Sequence, residues 1–274
     1  MGREAYHARL RTQGVNKPLY WALRLITQPL LFVYFRVSRT GAGFIPCEGG
    51  AIIAANHRSF LDPFVIAMLS RRPMYYVAKK ELFTRPRRAW LMNALGAFPI
   101  DRGNSDQDAV DTARLLLERG ELVLIFPEGT RVRPGPLGPP KRGIGRLALE
   151  TGVPVVPVAI FGTESVRNGW RIYPRKVRVR AVAPLAFQRT DSPSHSLATR
   201  VTNRIWPSVE LAWESLGGEP SAAPDLVPEW PVTESSRRVF IPNPQLLQRR
   251  FARDRERVHA GVSQDGEEHR ETQG

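Results

Sequence analysis

A chain of 274 residues, 42% of them hydrophobic, is long enough for a sizeable core, and its single cysteine, Cys47, excludes an internal disulfide. The net charge is +14, yet the last 59 residues carry ten acidic and eight basic side chains, so the excess lies in the first 215. Such a basic body calls for an anionic partner: nucleic acid, an anionic membrane surface or a phosphorylated substrate.

In chain order, residues 1–17 are polar and charged, with no cleavage-site pattern. Residues 18–37 are rich in apolar and aromatic side chains and approach the ~20 needed to span a bilayer. Arg24, Gln28 and Pro29 interrupt the run. That favours a helix lying in the interface, or a kinked re-entrant one, over a clean span; a helix buried against the domain is the alternative. Beyond it, candidate strands fall at Ala51–Ala55, Tyr75–Ala78, Ala97–Ile100, Leu122–Phe126, Val155–Phe161 and Val177–Val182. Amphipathic stretches alternate with them, at 60–69, 87–95, 105–119 and 143–150, and a last helix is expected over 193–216. The alternation predicts a single α/β domain with a mostly parallel central sheet flanked by helices. The expected organisation is a membrane-associating helical segment at 1–38, the main domain at 39–216, and a tail at 217–274. The tail is read as mostly disordered, with a short basic helix near 245–259.

The chemistry concentrates after the first strand, in Asn56-His57-Arg58-Ser59-Phe60-Leu61-Asp62. Histidine moves protons near neutral pH, and a neighbouring carboxylate fixes its tautomer. A spacing of five places His57 in the turn after a strand and Asp62 at the start of a helix, where Ser59 or Asp62 caps it. Several chemistries are excluded: there is no GxSxG elbow, no HExxH pair, no P-loop and no His/Cys cluster. No metal and no cofactor are expected. What remains is a base, an orienting carboxylate and arginines on loops, a set suited to direct acyl transfer from an activated donor.

Four stretches carry a resemblance. The first is Gly43-Phe44-Ile45-Pro46 with Gly49-Gly50, then Asn56-His57-Arg58-Ser59-Phe60-Leu61-Asp62-Pro63-Phe64. The second is Gly96-Ala97-Phe98-Pro99-Ile100-Asp101-Arg102-Gly103, and the third Phe126-Pro127-Glu128-Gly129-Thr130-Arg131. The fourth is Val153-Pro154-Val155-Val156-Pro157-Val158-Ala159. Together, over roughly residues 40–190, they resemble the glycerolipid acyltransferase family, in its order and at about its spacings. The resemblance implies a glycerol-3-phosphate acyltransferase-like fold, with His57 as general base and Asp62 as its orienter. It implies Arg102, Glu128, Gly129 and Arg131 at the acceptor's phosphate, with Glu128 expected to hold an arginine in place. Asn56, Ser59, Lys141 and Pro157 stand between a donor-binding and a structural role. The chain departs from the family pattern at Val132, where serine is common, and at Pro140, where an aromatic is frequent. Both departures adjoin the phosphate positions.

The resemblance thus implies transfer of a fatty acyl group from acyl-CoA or acyl-carrier protein to 1-acyl-glycerol-3-phosphate, giving phosphatidic acid. The implied partners are a lysophospholipid acceptor, an acyl thioester donor and an anionic membrane surface, and no nucleic acid. The expected location is the cytoplasmic face of the plasma membrane. Three other readings stay open: the same chemistry on another lyso-lipid or glycolipid, a thioester hydrolase using the same His-Asp pair, and a non-enzymatic basic membrane-binding protein.

Overall fold

The computed structural model describes residues 2–101, 106–132, 134–168 and 170–219, all within one compact unit. Arg102 and the expected tail helix at 245–259 lie outside the described residues, as does all of the tail beyond Glu219. Nine strands are described: β1 Ser38–Thr40, β2 Ala51–Ala55, β3 Met74–Lys79, β4 Ala97–Ile100, β5 Leu122–Ile125, β6 Val155–Phe161, β7 Arg167–Asn168, β8 Arg171–Ile172 and β9 Arg178–Ala181. The helices are α1 Arg3–Gln13, α2 Lys17–Tyr34, α3 Asp62–Ala67, α4 Pro86–Ala94, α5 Gln107–Glu118, α6 Gly143–Thr151 and α7 His195–Glu214.

Seven strands form one sheet in the order β1-β9-β6-β2-β5-β3-β4, and only the β6–β9 pair is antiparallel. The unbroken apolar text of β2 has its cause here. The strand is central, flanked by β5 and β6, and all five residues are buried. A parallel strand covered on both faces needs apolar residues on both. Ile52 and Ala54 face a core closed by α5, α6 and α7, through Leu116, Ile144 and Ile205. Ile53 and Ala55 face a second core with Val65 and Ile66 of α3 and Leu31 of α2.

Local chemistry sets the helix starts. Asn16 caps α2 by accepting from Leu19 N, Asp106 caps α5 through Ala109 N, and Ser194 caps α7 through Leu197 N. Where α6 crosses α7, Gly145 lets the helices close: a Cβ there would lie 2.1 Å from the Ala198 carbonyl oxygen.

The six strands expected from sequence are present, within about a residue at each end. The N-terminal segment divides in two. Helix α1, written in polar text, packs on the body through buried Tyr6, His7 and Leu10, and His7 Nδ1 lies 2.9 Å from Thr112 Oγ1 on α5. Burial pushes the His7 imidazole below its ordinary pKa. Helix α2 runs unbroken through Pro29 and buries Tyr20 and Leu31, while Leu25, Ile26, Leu30 and Val33 point outward. No helix among the described residues is long and apolar enough to cross a membrane.

Candidate active site

The site lies beyond the carboxyl ends of β2, β5 and β6, where ligands bind in open parallel sheets. Asn56 fixes the end of β2. Its Nδ2 donates to the Ile160 carbonyl at 2.9 Å, and its Oδ1 accepts from Ile160 N at 2.8 Å. The side chain thus extends the pairing of β2 with β6 by one step.

The chain then wraps around one carboxylate. Asp62 is fully buried at the first position of α3. Its Oδ2 lies 2.8 Å from His57 Nδ1 and accepts from the backbone N–H groups of Arg58, at 2.6 Å, and Ser59, at 2.7 Å. Its Oδ1 accepts from Thr163 Oγ1 at 2.6 Å. Because Nδ1 faces a carboxylate, it carries the imidazole proton and leaves the Nε2 lone pair to act as a base. The His57 ring stacks on Phe126, with centroids 4.0 Å apart and planes 18° from parallel. About a tenth of its side chain remains exposed. Ring position, tautomer and tilt are therefore all fixed before any substrate arrives.

Glu128, just beyond β5, braces this turn. Its Oε2 accepts from His57 N at 2.6 Å and its Oε1 from Gly138 N at 3.0 Å. The carboxylate clasps the histidine turn to the proline-rich loop, and Arg58 acts on it through space. The carboxylate expected to hold an arginine thus holds two backbone N–H groups, with the Arg58 charge acting on it as well. Burial pushes the Glu128 carboxyl up to about 7, against the pull of both N–H donors. The sign follows: a raised acid favours the folded state while protonated and loses that contribution as pH rises from its unfolded value, about 4.5, through 7. The stability of the wild type relative to Glu128→Gln should therefore fall by about 3 kcal/mol between pH 4.5 and pH 8. Urea unfolding of both proteins at several pH values checks this; a flat difference would show that Glu128 ionises normally.

Further backbone bonds close the loops. Val132 N donates to the His57 carbonyl at 2.9 Å, and Lys141 N to the Pro127 carbonyl at 2.8 Å. Gly129 has φ +71, a backbone conformation that favours glycine, and the flexible end of Lys141 lies against it. Pro157 sits inside β6, opposite Ala54. There the pairing with β9 slips by one residue, from Val158–Ala181 to Val155–Leu185. The Pro157 carbonyl accepts from Val182 N at this bulge.

Beside the Asp62 turn lies a shallow, polar depression lined by Arg58, Ser59, Phe60, Arg131, Thr163, Glu164 and Arg167. Arg131 is exposed. The Arg58 guanidinium lies 5.0 Å over the Trp213 ring and donates to the Gly135 carbonyl. Asp101, next to Arg102 in sequence, pairs with Lys80 at 2.6 Å. The structure thus gathers His57, Asp62, Asn56, Ser59, Glu128, Gly129 and Arg131 around one turn, with Lys141 against Gly129. Among the described residues, no group of three His, Cys, Asp or Glu side chains is placed to hold a metal. Sequence reasoning missed Thr163. Its signal, a hydroxyl just past β6, acquires meaning only once β6 is known to lie beside β2.

Comparisons with known proteins agree with this geometry. Residues 36–161 match the model of the Acyltransferase family, and this span holds all four stretches. A chloroplastic 1-acyl-sn-glycerol-3-phosphate acyltransferase of Brassica napus is 36% identical over 139 residues, 50% of this chain and 40% of the relative. The enzyme of the same name from Pseudomonas aeruginosa is 30% identical over 169 residues, 60% of this chain and 65% of the relative. The chain thus spans less than half the length of the plant relative and about two thirds of the bacterial one. The crystal structure of the 1-acyl-sn-glycerophosphate acyltransferase PlsC from Thermotoga maritima superposes with a TM-score of 0.57 at 25% identity, covering 75% of this chain and 83% of that one. Residues 36–161 thus carry the Acyltransferase domain, and the ordered motifs and common fold make this chain similar to the PlsC-like acyltransferases.

Proposed function

We propose that this protein transfers a fatty acyl group from an acyl thioester to the free hydroxyl of 1-acyl-glycerol-3-phosphate, giving phosphatidic acid. One observation carries the reading: His57 is clamped through Nδ1 to a buried carboxylate, beside a depression lined by arginines. The relatives' names supply the substrate class.

In the proposed reaction the acceptor hydroxyl attacks the thioester carbonyl carbon as His57 Nε2 takes its proton. Asp62 stabilises the imidazolium. The tetrahedral centre collapses, the carbon–sulfur bond breaks, and the leaving thiolate takes the proton back from His57. One ester and one thiol result. No covalent enzyme intermediate and no cofactor enter. A positioned base contributes about 10²–10⁴-fold, and holding both substrates together adds to it. The donor is acyl-CoA or acyl-carrier protein. Arg131, with Arg102 by family resemblance, receives the acceptor's phosphate. The outward apolar face of α2 rests on a membrane surface, which we place at the cytoplasmic side.

Arg131 tests the acceptor assignment. Hydrogen bonds to a charged group are worth about 1.5–3 kcal/mol, so Arg131→Ala should raise the acceptor KM about ten- to a hundredfold and leave the donor KM nearly unchanged. Arg131→Lys should rescue in part, since it keeps the charge and loses the fork. A rise in the donor KM alone would assign Arg131 to the donor. A second acceptor has an observation in its favour: Val132 replaces the common serine and lies under the loop at Gly138. Preference for another lyso-lipid over lysophosphatidate would establish it.

A further inference from the structure

Trp170 is the most exposed large hydrophobic residue described, at 83%. It lies in the connection between β7 and β8, which pair antiparallel as Arg167–Ile172 and Asn168–Arg171. The Arg171 guanidinium sits 5.3 Å from the Trp170 ring, and Ile172 is half exposed beside it. This small ribbon joins two other features. On the β8 side Tyr34, the last residue of α2, donates its hydroxyl to the Ile172 carbonyl at 3.0 Å. Across the ribbon from Ile172, on β7, Arg167 lies over the Phe60 ring and lines the same depression as Arg131. The end of α2 and the rim of the site therefore meet at the open end of the ribbon, with Trp170 at its turn.

The segment that carries the ribbon is strongly basic, although Glu164 lines the adjoining depression. From Ser165 to Thr190 there are seven basic residues and no acidic one. Tryptophan flanked by arginine suits the headgroup region of a bilayer, where the ring is half-desolvated and the cation meets lipid phosphate. An exposed apolar patch rimmed by positive charge marks an interaction surface.

We propose that the β7–β8 ribbon is a second membrane contact. Trp170 enters the headgroup layer of an anionic bilayer alongside α2 and seats the acceptor depression at the lipid surface. The proposal deepens the membrane reading above and rests on it. The seat gives a route for the acceptor: a lipid leaving the bilayer meets Arg167 and Arg131 before its hydroxyl reaches His57.

The test uses the full chain with Cys47→Ser, so that Trp170→Cys provides one thiol for an environment-sensitive fluorophore. Vesicles of phosphatidylcholine with about a third phosphatidylglycerol should shift the emission to the blue, and added salt should reverse the shift. With an unlabelled chain, Trp170→Ala should weaken sedimentation with these vesicles by on the order of tenfold. Trp170→Phe should restore most of the binding, with unchanged melting in both variants. Full vesicle binding by Trp170→Ala, or a label that stays in water while the protein sediments, overturns the ribbon contact and leaves the membrane reading standing. Failure of the wild type to sediment overturns both. A blue shift without lipid, rising with protein concentration, means that a second copy covers the ribbon, and also overturns the proposal.

Discussion

Replacing His57 by alanine should lower kcat for acyl transfer by about 10²–10⁴, with little change in either KM or in folding. The imidazole makes few contacts that stability needs. It stacks on Phe126 and meets Asp62, while the turn itself is held by backbone groups: His57 N on Glu128, and Arg58 N and Ser59 N on Asp62. Alanine keeps all three N–H groups in place. The loss should therefore be confined to the base that accepts the hydroxyl proton. Steady-state kinetics, with urea unfolding alongside, separates the two effects. A variant that keeps more than about a tenth of wild-type kcat would remove His57 from the proton transfer, given the usual size of that effect.

Asp62→Asn should be at least as damaging, and for two reasons at once. Every group pointed at this carboxylate is a donor: two backbone N–H groups, the Thr163 hydroxyl and His57 Nδ1. An asparagine amide has one acceptor oxygen where the aspartate offers two. Turned one way, its NH₂ faces Arg58 N, Ser59 N and His57 Nδ1 in a fully buried site; turned the other, it meets the Thr163 hydroxyl, which can accept, and a neutral oxygen must hold the three donors that a charged one held. Hydrogen bonds to a charged group are worth about 1.5–3 kcal/mol and neutral ones about 1, so the variant should lose on the order of 1–3 kcal/mol of stability as well as most of its kcat. His57→Ala should show only the kinetic loss. Equal stability for Asp62→Asn and the wild type would mean that the carboxylate does not organise the turn.

Much of this was legible in the sequence, for reasons visible in particular residues. The run Ala51–Ala55 had to be covered on both sides, and it proved to be the central strand. The five-residue spacing of His57 and Asp62 required a turn followed by a helix start, which is how they meet. What stayed hidden came from contacts distant in sequence. Strand β1 carries Ser-Arg-Thr with all three side chains exposed, so no pattern announces it; its partner, β9, lies about 140 residues away. Helix α1 buries only three residues in otherwise polar text. Glu128 reads as a partner for arginine because the motif places Arg131 three residues on. In the fold, two backbone N–H groups reach it first. Thr163 reaches Asp62 across 101 positions, which only the β2–β6 pairing brings together.

The central claim is transfer of the acyl group to a lipid hydroxyl, and a product balance tests it most directly. Purified protein would be incubated with labelled acyl-CoA, lysophosphatidate and anionic vesicles, and thiol, free fatty acid and acylated lipid would be measured together. The account predicts one molecule of phosphatidic acid for each thiol released, with free fatty acid at the level of a His57→Ala control. Free fatty acid rising in step with thiol, with or without the acceptor, would contradict it. The His57–Asp62 pair would then be activating water, and the protein would be a thioester hydrolase.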